Sequence, residues 1–332
     1  MLKSKDAAIG VLIMKKRYHL LIIIGVLLVG FILGSFLDLQ INQAIYSDQD
    51  GFGLFMASFG VYPCYAGLAF IGGGFLSTTL RRKDMHIVVK IVSFALSAAA
   101  YVMAIYLCGK EWPSPNGYDT PHLAWLSYLV AAIVFAGVFV GAFFVCKKGD
   151  PKHLWTVLLV MTAVFVIALL PAGFVIKLFI HRPRYRYAVR GGLTSFYNWW
   201  QMFPEYKNYI SSAENPIFVF GKEITKEEFK SFPSGHSGTG MIMAMFLPFA
   251  SYFFPKLKGK EVMLFYIGAG WGFLMMFSRL LCGAHYLTDT CMGSLICMIT
   301  FYVVNEIAIH KKLLDEPVAE QPVENIEPAP AE

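Results

Sequence analysis

The run HLLIIIGVLLVGFILGSFLD, His19 to Asp38, carries no charged residue before its last position. About 20 apolar residues is the length an α-helix needs to cross the hydrocarbon core of a bilayer. Comparable runs recur down the chain. About eight spans are expected, at 19–38, 54–80, 87–108, 123–146, 154–177, 237–254, 262–282 and 286–308. Composition agrees: 57 % of residues are hydrophobic and only 15 % charged, against about 25 % charged in a soluble domain. The mean hydropathy is +0.56. The expected fold is all-α, a polytopic membrane helical bundle.

The first run follows Lys15, Lys16 and Arg17, as the core of a signal peptide does. It is longer than such a core, and no A-x-A-like site follows, so an uncleaved span is expected. The second run is over-long and contains Pro63 and Gly72-Gly73-Gly74, which predicts a tilt or a kink. The six cysteines fall in or beside apolar runs without a CxxC pair, and read as buried thiols.

Lys and Arg gather in the N-terminal segment, at Arg81-Arg82-Lys83, at Lys147-Lys148-Lys152, at Lys256-Lys258-Lys260 and at Lys311-Lys312. With eight spans all these clusters share one side, so both termini are expected in the cytoplasm of a multi-pass cell-membrane protein. Three regions follow. Residues 1–153 hold the N-terminal spans, residues 154–308 a second set, and residues 309–332 an acidic, Pro-rich tail too poor in apolar residues to order itself. The long outer loop, about 178–236, breaks the charge rule. Lys177 stands at its edge and Arg182, Arg184, Arg186 and Arg190 within it, which asks for an anionic ligand. Its Trp199, Trp200 and Phe203 are candidate membrane-interface contacts.

Three polar blocks then fall on the outer face: KLFIHRPRY (Lys177 to Tyr185), FPSGH (Phe232 to His236) and SRLLCGAHYLTD (Ser278 to Asp289). His285 and Asp289 are four apart, one turn of a helix, so the carboxylate can take a hydrogen bond from one ring nitrogen and leave the other free to attack. Gly283 allows a turn after Arg279. Pro233-Ser234-Gly235-His236 opens a span, and a helix start with a glycine amide and a serine hydroxyl binds anions. His236 is there to protonate a departing alkoxide. Lys177, Arg184 and Arg279 can neutralise phosphate oxygens. Each block has a plainer reading, as an interfacial cap pair, an N-cap or a snorkelling lysine. Their coincidence on one face favours a phosphate site.

These blocks resemble the phosphatidic acid phosphatase type 2 superfamily, whose pattern is K-x6-R-P, then P-S-G-H, then S-R-x5-H-x3-D. The second and third elements match in full. The first matches as Lys177 and Arg184, with Tyr185 in place of proline and His181 where glycine is frequent. The resemblance covers about 154–308 and implies a six-span phosphatase core, so two spans near the N-terminus are extra. It implies His285 as the nucleophile forming a phosphohistidine, Asp289 as its orienting partner and His236 as general acid. Lys177, Arg184, Ser234, Gly235 and Arg279 become the phosphate-binding set.

The resulting expectation is a lipid phosphatase of the outer leaflet, acting on a substrate such as undecaprenyl diphosphate, phosphatidate, phosphatidylglycerol phosphate or a lipid A phosphate. With cations supplying the charge, no metal or other cofactor is expected, and no nucleic-acid partner. The partners are the lipid phosphate and the bilayer. Competing readings are a phosphotransferase, which needs an acceptor, and a non-catalytic lipid-phosphate binder or transporter, which would tolerate loss of the histidines. A haloperoxidase is disfavoured because those relatives are soluble.

Overall fold

The computed structural model describes residues 17–47, 50–111, 124–170, 175–188, 196–201, 203–212, 214, 218–219 and 222–314. The acidic tail beyond residue 314 and Arg190 lie outside them. The helices are α1 Tyr18–Ile45, α2 Gly51–Phe59, α3 Tyr62–Arg81, α4 Ile87–Gly109, α5 Ala124–Cys146, α6 Pro151–Leu170, α7 Gly235–Phe253, α8 Glu261–Leu281 and α9 Leu287–His310. Two strands of two residues each, β1 Phe218–Val219 and β2 Lys222–Glu223, pair antiparallel within the long loop.

Among the described residues, seven helical stretches are long and apolar enough to cross a membrane, with α2 and α3 counting as one. The chain is therefore a multi-pass membrane protein with a helical-bundle fold. The remaining long helix, α7, begins with the polar turn GHSGTG yet is buried along most of its length. It packs most extensively on α8 and also against α9, α6 and α3. A helix walled off by its neighbours on several sides needs no apolar exterior, so α7, expected as one of eight spans, falls short of the hydropathy that marks the other seven. At 19 residues it is about 28 Å long.

Three boundaries differ from expectation. The helix α6 is described over Pro151–Leu170, and residues 171–174 lie outside the described residues. Lys177 sits in a 3₁₀ turn, Ile176–Leu178. The second span is broken, as expected, but at Gly60–Val61, with Pro63 in the first turn of α3, while the helix runs on through the glycine triplet. Those glycines are packing positions: a Cβ on Gly73 would stand 2.0 Å from the carbonyl oxygen of Phe139, the close backbone approach that small residues allow between membrane helices. Finally, α1 runs on to Ile45, seven residues past the expected end. Its buried stripe is Leu20, Ile23, Leu27, Gly34, Asp38 and Asn42, facing α9, while Val29 and Phe36 are exposed. Asp38 lies about 30 Å along the helix from Tyr18, roughly the thickness of a hydrocarbon core.

All six cysteines are free and buried. In the long loop before α7, Tyr187, Phe203, Ile224 and Phe229 form a small core of their own. Phe203 is thus an interior residue rather than a membrane contact. Trp199 stacks on Phe232 and its Nε1 donates to Ser35 Oγ at 3.0 Å; of the three aromatics only Trp200 is exposed.

Candidate active site

The start of α7 is built by its own sequence. Ser234 is the N-cap: its Oγ accepts from the backbone N–H of Ser237 at 3.3 Å and from Ser237 Oγ at 2.9 Å. That oxygen is committed to the helix, leaving the Ser234 O–H for any anion. The Ser234 N–H donates to the carbonyl of Asp289 at 2.9 Å, tying the second block to the third. The approach depends on Gly293, where a Cβ would meet the Ser234 carbonyl at 2.1 Å.

The third block turns between α8 and α9. Gly283 adopts φ +59°, a left-handed conformation that glycine takes without strain. The Arg279 carbonyl accepts from the N–H groups of Ala284 at 3.1 Å and His285 at 3.3 Å. The turn thereby seats His285, 2 % exposed, beside the 231–236 segment.

The imidazole does not bond its expected partner directly. His285 Nδ1 lies 3.8 Å from Asp289 Oδ2, beyond hydrogen-bond length, but 2.6 Å from the Ser231 carbonyl. A carbonyl only accepts, so Nδ1 carries the proton and Nε2 holds the free lone pair. Burial pushes the ring down to about 3, against the pull of Asp289, and the nearby Arg184 and Lys177 add to that depression. The ring is neutral throughout the physiological range, as a nucleophile must be. Asp289 acts one step back: its Oδ2 accepts from Ser231 Oγ and from the Tyr286 N–H at 2.8 Å, so it holds both segments that fix the ring.

The charges divide into two groups. Arg182 is fully buried and serves the protein: Nη1 donates to Asp289 at 2.6 Å and Nη2 to Asp38 at 2.9 Å. Without such partners a buried ion of this kind would cost roughly several kcal/mol. Arg186 is likewise paired, with Glu228 at 2.7 Å. The expectation that all the outer-loop arginines answer to a ligand is corrected for these two. Lys177, Arg184 and Arg279 form the other group. The Lys177 Nζ comes within 3.8 Å of where a Cβ on Gly235 would sit. Arg184 Nε donates to the Glu227 carbonyl at 2.9 Å, and Arg279 Nη2 to the Gly53 carbonyl at 2.6 Å. Burial of the Lys177 ammonium end lowers it to about 8, and Arg184 contributes to that shift.

His236, the second residue of α7, points Nε2 at Glu111 Oε2, 3.3 Å away. Burial alone would raise the Glu111 carboxyl, but His236, Lys110 and Arg279 together hold it below the usual range. The carboxylate stands where it would pair with a protonated imidazole.

All eight sequence-selected residues thus come to one end of the bundle. Asp38, Asn42, Glu111 and Ser231 were missed. Asp38 left a trace, since an acid inside an apolar run is expensive and marks a site by default; it read instead as the end of the span. Residues 152–311 match the family model described as PAP2 superfamily. Neither curated proteins nor solved structures gave a significant match.

Proposed function

We propose that this membrane protein, whose residues 152–311 match the PAP2 superfamily model, is a phosphatase acting on a lipid phosphate or diphosphate at the extracytoplasmic face, through a phosphohistidine. One observation carries the reading: a buried His285 whose Nδ1 faces the Ser231 carbonyl at 2.6 Å, which leaves Nε2 free to attack. The Nε2 lone pair attacks phosphorus as the bond to the leaving oxygen breaks. His236 gives that oxygen its proton, then takes one from the water that hydrolyses the phosphohistidine, releasing phosphate. Lys177, Arg184, Arg279, the Gly235 amide and the Ser234 O–H offset the charge on the non-bridging oxygens. Asp289 favours the positive ring of the intermediate. A substrate whose tail stays in the bilayer suits a site at the outer edge of the spans.

The test is phosphate release by purified protein from a panel of lipid mono- and diphosphates, with chelator present and no acceptor alcohol. Release confirms a hydrolase whose positive charge comes from its own side chains. Release only on adding an alcohol assigns the phosphotransferase reading instead. Binding without turnover assigns the binder.

Lys177 sets a pH dependence. Its ammonium is lost as pH rises through about 8 in the free protein, while bound phosphate holds the proton on. The expected outcome is a KM that climbs above that pH with kcat little changed. Lys177→Arg should remove the climb, because a guanidinium stays charged. A wild-type KM flat to pH 9.5 would place Lys177 away from the phosphate.

Sidedness has its own measurement. The native cysteines are buried, so a cysteine replacing the exposed Asn208 should react with an impermeant maleimide on intact cells. Labelling only after lysis would invert the topology and assign an inner-leaflet substrate.

A further inference from the structure

The first membrane helix lies outside the family-matched segment, yet two of its residues reach the nucleophile's turn. Asp38 and Asn42 are four apart on α1, one turn on the same face. Asn42 Nδ2 donates to the carbonyl of His285 itself, at 3.1 Å. Asp38 Oδ2 accepts from Arg182 Nη2 at 2.9 Å and also from Thr288 Oγ1, and Oδ1 accepts from the Thr288 N–H at 3.0 Å. Every one of these neighbours donates to it, the environment of an ionised carboxylate. From Arg182 the chain of contacts continues to Asp289, then Ser231, then His285 Nδ1.

We propose that α1 is a working part of the site, with Asp38 and Asn42 as positioning residues for His285. The proposal rests on the phosphohistidine reading above. Asp38, Arg182 and Asp289 carry two negative charges and one positive, a net negative cluster behind the ring. As the Nε2–P bond forms and the P–O bond breaks, the imidazole becomes positively charged while Nδ1 keeps its proton on the Ser231 carbonyl. The cluster stabilises that charge only as it develops, so it acts on kcat rather than on substrate binding. Asn42 fixes the backbone from which the ring projects.

Asp38→Asn removes the charge but leaves Arg182 and Asp289 as a matched pair, so folding should tolerate it. With dioctanoyl phosphatidate as probe, kcat should fall about 10- to 100-fold and KM stay within about threefold. In an Asp289→Asn background the same change should add less than about twofold, because the pathway is already cut. Asn42→Ala should lower kcat by about three- to tenfold, and decides the matter if Asp38→Asn fails to fold. A raised KM with kcat intact, or losses that multiply in the double variant, would overturn the proposal. A turnover-free readout runs beside these: the ring ¹⁵N signals of His285, identified by their loss in His285→Gln. They should move in Asp38→Asn, and unchanged signals again overturn it. Wild-type protein that releases no phosphate refutes the phosphatase reading instead, and the ¹⁵N signals then decide the positioning claim by themselves.

Discussion

Replacing His285 by alanine is expected to abolish turnover, by at least about 10³-fold in kcat, while binding of the phosphate lipid survives. The reason is geometric. The Nδ1 proton is committed to the Ser231 carbonyl at 2.6 Å, so Nε2 alone can attack. The phosphate-binding groups sit on other elements: Lys177 follows α6, Arg184 lies in the long loop and Arg279 ends α8. None needs His285 to stay in place. The variant loses one buried hydrogen bond, a net cost of about 1 kcal/mol, plus the cavity left by the ring, so melting should be recorded alongside. The direct signature is covalent label. Wild-type protein mixed briefly with ³²P-labelled lipid phosphate should carry base-stable, acid-labile phosphate, and His285→Ala none. Activity within tenfold of wild type, or label retained on the variant, would remove His285 from this role.

The bundle was legible in the sequence because apolar runs of span length are a strong, local signal. The exception shows the limit of that signal. The helix α7 starts with polar residues and is buried by its neighbours, and only the block preceding it marked it as a span. The spacing of His285 and Asp289 was likewise local, one helical turn, and it placed the two side chains near each other. The direct bond it led one to expect is absent, since whether a ring turns to a carboxylate at 3.8 Å or a carbonyl at 2.6 Å depends on a segment 54 residues away in the chain. Arg182 shows the same point for charge. A guanidinium in an arginine-rich loop reads as ligand-binding until its partner, Asp38, is found 144 positions earlier. Long-range pairings of this kind leave no spacing to read.

His236→Ala is expected to separate substrates by their leaving groups. In the proposed scheme the imidazole supplies a proton to the departing oxygen, and general acid catalysis of this kind contributes about 10²- to 10⁴-fold. An alkyl lipid phosphate leaves as a strongly basic alkoxide and should lose that whole factor. A nitrophenyl phosphate leaves as a weakly basic phenolate and should lose about tenfold or less. The rate limb caused by the acid should flatten in the same variant, because no protonated imidazole remains to be titrated. Glu111 gives this expectation a second handle. Its carboxylate faces Nε2 at 3.3 Å and favours the protonated ring that a general acid requires. In Glu111→Gln the acid should therefore lose its proton at lower pH, moving the alkaline limb of kcat downward while the nitrophenyl substrate stays nearly unaffected. The comparison is made by measuring kcat against pH for both substrates in wild type and both variants. If His236→Ala slows the alkyl and aryl phosphates equally, His236 acts on phosphate binding or on the start of α7, and the proton must reach the leaving group from elsewhere.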